Sequence, residues 1–236
     1  MMTVQKTESP ECPFDRPLYY SAEVARLAKI NVHRVHRWLE GYEYTYAERR
    51  VSKPPVIEGK KEQLSRPTYA SFYDLIELLL VKQFLQHGMS LQKTRKALKE
   101  ATALLGTHHF AHQIFFTDGR KMCLQIGDRG DAILELLSDG QWVISDVIKQ
   151  LAHEIVFDRV TQTALRWFPS EGNSYVVLDP CVSFGRPSIV RKGVSTDYIY
   201  DLYEAEGNSI DAVSSWMCLE HEEVSAAVNF ETHLAA

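Results

Sequence analysis

The nine residues Asn31-Val-His-Arg-Val-His-Arg-Trp-Leu39 hold the chain's densest set of groups suited to recognition chemistry. Val32, Val35 and Leu39 recur at helical spacing and turn one face inward, which leaves His33, Arg34, His36 and Arg37 on the outer face. Arginine can donate two hydrogen bonds to guanine O6 and N7, and asparagine can pair with adenine, so these residues match what the edges of bases offer in a DNA major groove. The preceding stretch, Tyr20-Ser-Ala-Glu-Val-Ala-Arg-Leu-Ala-Lys29, must position them. Ser21 is expected to cap a first helix whose apolar stripe is Val24, Leu27 and Ala28, and Asn31 to cap a second. The chain should therefore break near Lys29-Ile30 and form a helix-turn-helix, with Ser21, Asn31, His33, Arg34, His36 and Arg37 as expected DNA contacts.

Next comes Gly41-Tyr-Glu-Tyr-Thr-Tyr46, an alternating aromatic run that reads as a short strand. Pro54-Pro55 and Gly59 interrupt any helix beyond it, so a β-hairpin or loop is expected to carry Arg49, Arg50, Lys53, Lys60 and Lys61. Such a basic wing would touch phosphates, which position a protein on a duplex without reading its sequence. A helix capped at Ser71 and closed by Gly88 follows, and another opens at Ser90. On the latter, Leu91, Thr94, Leu98 and Ala101 should face the core, with Lys93, Arg95, Lys96 and Lys99 on the wet side.

This order, with Tyr69-x-x-x-x-Asp74-Leu75-x-x-Leu78 and then Gly88-Met-Ser-Leu91-x-x-x-Arg95-x-x-Leu98, resembles the winged DNA-binding domain of the MerR superfamily over residues 18 to 100. The resemblance implies that Arg37 lies near the phosphate backbone and that Tyr69 begins the third helix. The wing is longer than usual here, and no long dimerisation helix ending in effector-binding cysteines follows. The resemblance therefore does not extend to metal or drug sensing.

The chain has 236 residues, 45% of them hydrophobic, which suffices for two domains. Its net charge of −5 is unevenly spread: residues 1 to 105 carry 17 Lys+Arg against 12 Asp+Glu, and residues 106 to 236 carry 9 against 19. A basic region for nucleic acid and an acidic region for another partner are implied. No stretch reaches 18 apolar residues, and the charged first 20 residues lack the apolar run of a signal peptide, so a cytoplasmic protein without membrane segments is expected. Cys12, Cys123, Cys181 and Cys218 are scattered, which suggests free thiols rather than a zinc or redox motif.

In the second half, His109 to Phe116 and Lys121 to Ile126 flank Asp118-Gly119, a hairpin signal. Residues 132–137 read as a strand or short helix, Asp146 to Ala152 as a helix, and Glu154 to Phe157 and Ala164 to Phe168 as strands. His108, His109 and His112 invite a metal reading, but His109 and His112 would point to opposite faces of a strand with no carboxylate nearby. No metal or cofactor is expected. A strand from Ser174, turns at Asp179-Pro180 and Gly185-Arg-Pro187, and three helical segments close the chain: one capped by Ser195 or Thr196, one by Ser209, and one spanning Glu220 to Phe230. Residues 179 to 236 hold 3 Lys+Arg against 10 Asp+Glu, a surface that repels phosphates.

The pattern Asp179-Pro-x-x-x-x-Gly185-Arg-Pro187-x-Ile189, Gly193-Val-Ser195, Gly207-Asn-Ser209-Ile210 and Glu223-Val224-x-x-Ala227 resembles the domain-of-unknown-function 433 family over about 55 residues. Ser183-Phe184 stands where that family's turn usually has further glycine. Joined to a MerR-like head, such a domain resembles antitoxins of the VapB type. The resemblance implies an α+β protein with a flexible segment 1–17, a winged helix-turn-helix domain 18–105, a middle β region 106–172 and a C-terminal helical domain 173–236. It implies a non-enzymatic homodimer that represses its own operator DNA and neutralises a PIN-domain ribonuclease toxin, with Asp201, Glu204, Glu206 and Asp211 as candidate toxin contacts. The alternative is a stand-alone MerR-like regulator whose middle region senses a small ligand.

Overall fold

The computed structural model describes residues 13–61, 68–86, 88–105, 111–112, 151–169 and 174–235. The hairpin expected at 109–126, the segment 132–137, the start of the helix expected at 146, and the boundaries expected at 106 and 173 lie outside these residues. So do Cys12 and Cys123. The described architecture is α+β, with helices predominating and small antiparallel sheets between them.

Strand β1 (Tyr19–Tyr20) leads directly into α1 (Ser21–Ala28), and α2 (Val32–Glu40) follows a left-handed residue, Lys29, at φ 51°. Asn31 caps α2 as expected, its Oδ1 accepting the His33 N–H at 3.0 Å. Ser21 does not cap α1. The helix starts one residue earlier in effect, because Glu23 Oε2 accepts the Tyr20 N–H at 2.8 Å, and Ser21 is buried as the first helical residue. Its Oγ has no hydrogen-bond partner among the described residues.

Strands β2 (Tyr42–Tyr46) and β3 (Arg49–Lys53) form a two-stranded hairpin. Its turn places both Ala47 and Glu48 in the left-handed region, the conformation whose twist matches a tight antiparallel pair. Strand β4 (Lys60–Lys61) does not extend this wing. It pairs with β5 (Thr68–Ala70), which pairs in turn with β1, so Lys60 and Lys61 belong to a different sheet. Tyr69 likewise lies in β5 instead of opening a helix, opposite Tyr20.

Helix α3 (Phe72–Gln86) is opened by a reciprocal box: Ser71 Oγ accepts the Asp74 N–H at 3.1 Å and Asp74 Oδ2 accepts the Ser71 N–H at 2.8 Å. Gly88, at φ 85°, ends it, as the Met89 N–H returns to Phe84 O at 3.0 Å. Phe72, Leu75, Ile76, Leu78, Leu80 and Val81 are fully buried, which makes α3 an axis covered on nearly all sides. At roughly 1.5–3 kcal/mol per buried large apolar side chain, this helix supplies a large share of the core's stabilisation. Helix α4 (Leu91–Leu105) is capped by Ser90 and buries Thr94, Ala97 and Leu98. Arg95 is not a free wet-side charge: its Nη2 donates to Pro54 O at 3.0 Å, tying α4 to the chain just after the hairpin.

Strands β6 (Ile155–Phe157) and β7 (Ala164–Trp167) pair antiparallel where strands were expected; β8 (Val176–Val177) lies in the strand expected from Ser174 and pairs antiparallel with β9 (Ser188–Ile189), which was not expected. Helices α5 (Thr196–Ala205), α6 (Ile210–Met217) and α7 (His221–Ala235) pack against one another. Ser209 caps α6 through the Ala212 N–H at 3.2 Å. One hydrophobic core runs from Tyr19 through α3 to Phe230, so the two ends of the chain share an interior. Polar ties cross the same seam: Tyr19 Oη donates to Gly185 O at 2.8 Å, and Arg26 meets Glu231 at 3.2 Å. Among the described residues no helix is long and apolar enough to cross a membrane.

Candidate nucleic-acid interface

Helix α2 buries Val35, Trp38 and Leu39 and leaves His33, Arg34, His36 and Arg37 exposed, as the helical spacing requires. The burial holds the outer face rigidly. Three backbone bonds add to this, with the Val56, Ile57 and Gly59 N–H groups donating to carbonyls of Trp38 and Leu39. On α1, the last carbonyls are tied to α3, where Lys82 Nζ donates to Ala28 O at 2.8 Å. Partial burial, and then the nearby Lys29, hold the Lys82 ammonium below the ordinary lysine range.

The expected contacts are not equivalent. Arg34 is exposed and has no hydrogen-bond or ion-pair partner among the described residues. The Arg37 guanidinium lies over the Tyr42 ring, 5.3 Å from its centroid, and so links α2 to the hairpin. His36 Nδ1 faces Glu40 at 3.5 Å, and the Asn31 carbonyl oxygen is spent on its cap. Ser21 is buried and offers no surface for a ligand.

Register sorts the hairpin's own residues. Tyr46 lies opposite Arg49, Tyr44 opposite Val51 and Tyr42 opposite Lys53, so these six share one face. The Arg37–Tyr42 contact turns that face to the side of α2. At its outer end Tyr46 is 72% exposed beside exposed Arg49, which has no partner among the described residues. Arg50 occupies the opposite face with Thr45 and is bound by Glu43, its Nε at 2.7 Å from Oε2. Lys53 is half-buried at the base. Register thus places Arg49 on the hairpin face that the Arg37–Tyr42 contact links to α2, while Arg50 lies on the opposite face and the backbone of Lys60 and Lys61 pairs into a different sheet. Gly41 joins the two parts: at φ 76° it adopts a conformation that side chains resist, and a Cβ there would stand 2.5 Å from Lys53 O.

Sequence reasoning did not find the supporting roles of Arg95, expected only as a wet-side charge, and of Tyr42, because both act through contacts between separate elements; the run of alternating tyrosines was the only local signal for Tyr42.

The candidate partner residues are spread over two helices. Asp201 and Glu204 are exposed on α5, Glu206 is half-buried at its end, and Asp211 lies in the first turn of α6, 3.3 Å from His221. Among the described residues no group of three or more His, Cys, Asp or Glu could hold a metal ion. His112 bridges to Thr163 in the backbone, and burial lowers its pKa.

No protein-family model matches the sequence. A curated Mycobacterium tuberculosis protein with the name "Putative antitoxin VapB45" is 27% identical over 199 residues, covering 78% of this chain and 81% of that protein. A solved structure titled "X-ray crystal structure of Rv2018 from Mycobacterium tuberculosis" aligns with a TM-score of 0.68 and 23% identity, over 91% of this chain and 99% of that one. The chain shares the fold of that structure and is similar in sequence to a protein named as an antitoxin.

Proposed function

We propose that this chain is the antitoxin of a toxin–antitoxin pair, with residues 18–105 acting as a MerR-like winged helix-turn-helix that binds operator DNA and represses its own transcription. The observation that carries the DNA reading is the set of exposed arginines Arg34 and Arg37 on α2 and Arg49 on the hairpin that Arg37 contacts. Two of these guanidinium groups are unpaired among the described residues, and Arg34 and Arg37 stand on a helix whose inner face is packed into the core, with the hairpin of Arg49 linked to it through Tyr42. Arginines held in this way offer donors to guanine edges and phosphates at small entropic cost. The similarity to a protein named as an antitoxin supports the second role, in which the acidic C-terminal helices neutralise a PIN-domain ribonuclease. The Gly-Arg-Pro turn at 185–187 and the Ser209 cap support a C-terminal domain like those of the domain-of-unknown-function 433 family, although Ser195, expected as a further cap, makes no capping hydrogen bond and the Thr196 hydroxyl donates to Glu231 instead. A homodimer would let two heads read paired half-sites.

The test has two arms. Full-length protein is titrated into its own upstream DNA, and separately into the PIN-domain ribonuclease proposed as its toxin while RNA cleavage is followed. We expect binding to the upstream DNA in preference to an unrelated duplex, weakened about 10- to 100-fold by Arg34→Ala, together with stoichiometric inhibition of cleavage. Equal affinity for both duplexes would overturn the operator reading, and undiminished cleavage would overturn the antitoxin reading.

A further inference from the structure

On α6, Val213 and Ser214 are buried, yet Trp216 is 73% exposed. The segment that carries it is braced on both sides. Arg191 Nη2 donates to Cys218 O and Lys192 Nζ to Met217 O, each at 3.2 Å, while Ser214 Oγ donates to Leu219 O at 2.6 Å. The indole is therefore presented by a rigid turn, so burying it against a partner costs little ordering entropy.

The surrounding charge says what that partner is. Residues 179 to 236 contain three cations, and each is tied within the fold: Arg186 to Asp197 at 3.8 Å, Arg191 to Glu223 at 2.6 Å, and Lys192 to the end of α6. Asp211, Glu220 and Glu222, on α6 and at the turn into α7, are exposed. An exposed aromatic on a domain whose exposed charge is mostly acidic matches a protein-binding hot spot whose counterpart is basic. A second copy of this chain would set acid against acid, and DNA would be repelled.

We propose that Trp216 anchors an acidic docking surface, formed by α6 and the turn into α7, for a protein partner with a basic cleft that accepts an aromatic side chain. This rests on the toxin-neutralising reading and assigns that role to α6 and the turn into α7, in place of Asp201 and Glu204 on α5.

The test is calorimetric titration of the full chain, wild type and variants, with the PIN-domain ribonuclease proposed as its toxin, alongside light scattering and titration with upstream DNA. We expect Trp216→Ala to weaken toxin binding at least about 30-fold, Trp216→Phe to stay within about threefold, and Asp201→Asn with Glu204→Gln to change little. DNA affinity should be unaltered throughout. A wild type that binds the toxin as tightly as Trp216→Ala does would overturn this assignment and leave the antitoxin reading standing. A wild type that does not bind the toxin would overturn the antitoxin reading itself, and loss of a dimer in Trp216→Ala would assign the surface to a second copy instead.

Discussion

The two ends of the chain share one core but treat their cations in opposite ways. Around α2 and the hairpin, Arg34 and Arg49 stand unpaired among the described residues and Arg37 rests on a tyrosine ring. In the C-terminal region Arg186, Arg191 and Lys192, all in the turns before α5, serve as struts to the helices. The difference shows that net charge understates the contrast. At the head positive charge is on offer, whereas in the tail it is consumed and the acids remain outside.

The largest effect is expected where the hairpin is hinged. Gly41→Val places a Cβ against Lys53 O in a left-handed backbone, so stability should fall by about 3 kcal/mol and upstream-DNA affinity should fall with it; urea titration and anisotropy measure the two. A variant with normal DNA affinity would show that the hairpin's attitude does not matter.

Removing a strut comes next. Arg191→Met leaves Glu223, which is almost fully buried, without its guanidinium, and the melting temperature should drop by several degrees without weakening DNA binding. The Arg191 guanidinium, then the Glu220 N–H, hold the Glu223 carboxyl below the usual 4.5. A depressed carboxylate pKa contributes stability that is present above 4.5 and lost as pH falls through the folded value, so the gap between wild type and variant should close below about pH 4.5. Melting curves at pH 7 and pH 4 check the sign.

Smaller effects probe the seam and the turn beside it. Tyr19→Phe deprives the Gly185 carbonyl of a buried donor and should cost about 1 kcal/mol in chemical denaturation. Phe184→Gly should stabilise by up to about 1 kcal/mol, because Phe184 sits at φ 56° with its ring 84% exposed. Unchanged stability in that variant would mean that the left-handed turn carries no strain.

What was legible in the sequence was mostly local. The caps at Asn31, Ser71, Ser90 and Ser209 could be read because a side chain bonds a backbone N–H two or three residues away. Gly88 and the strands around Ile155 and Trp167 were legible on similar grounds. Pairing between distant segments was not. Lys60 and Lys61 look like part of a basic wing until β5 claims their backbone, and Tyr69 looks helical until Tyr20 pairs with it. Ser21 resembles a cap, but Glu23 reaches back to the preceding N–H and pulls the helix start past it. For the candidate interface, α2's outer face followed from spacing, whereas the sorting of Arg49 from Arg50 depended on strand register and on Glu43.

Whether the head offers its positive charge to DNA is decided by the salt dependence of binding. Full-length protein is titrated into its labelled upstream duplex by fluorescence anisotropy between 50 and 200 mM salt. Log affinity should fall linearly with log salt, with a slope magnitude of about 3 or more, and changing Arg34 and Arg49 together to alanine should lower that magnitude by about 2. A flat dependence, or a slope that the double variant leaves unchanged, would contradict it.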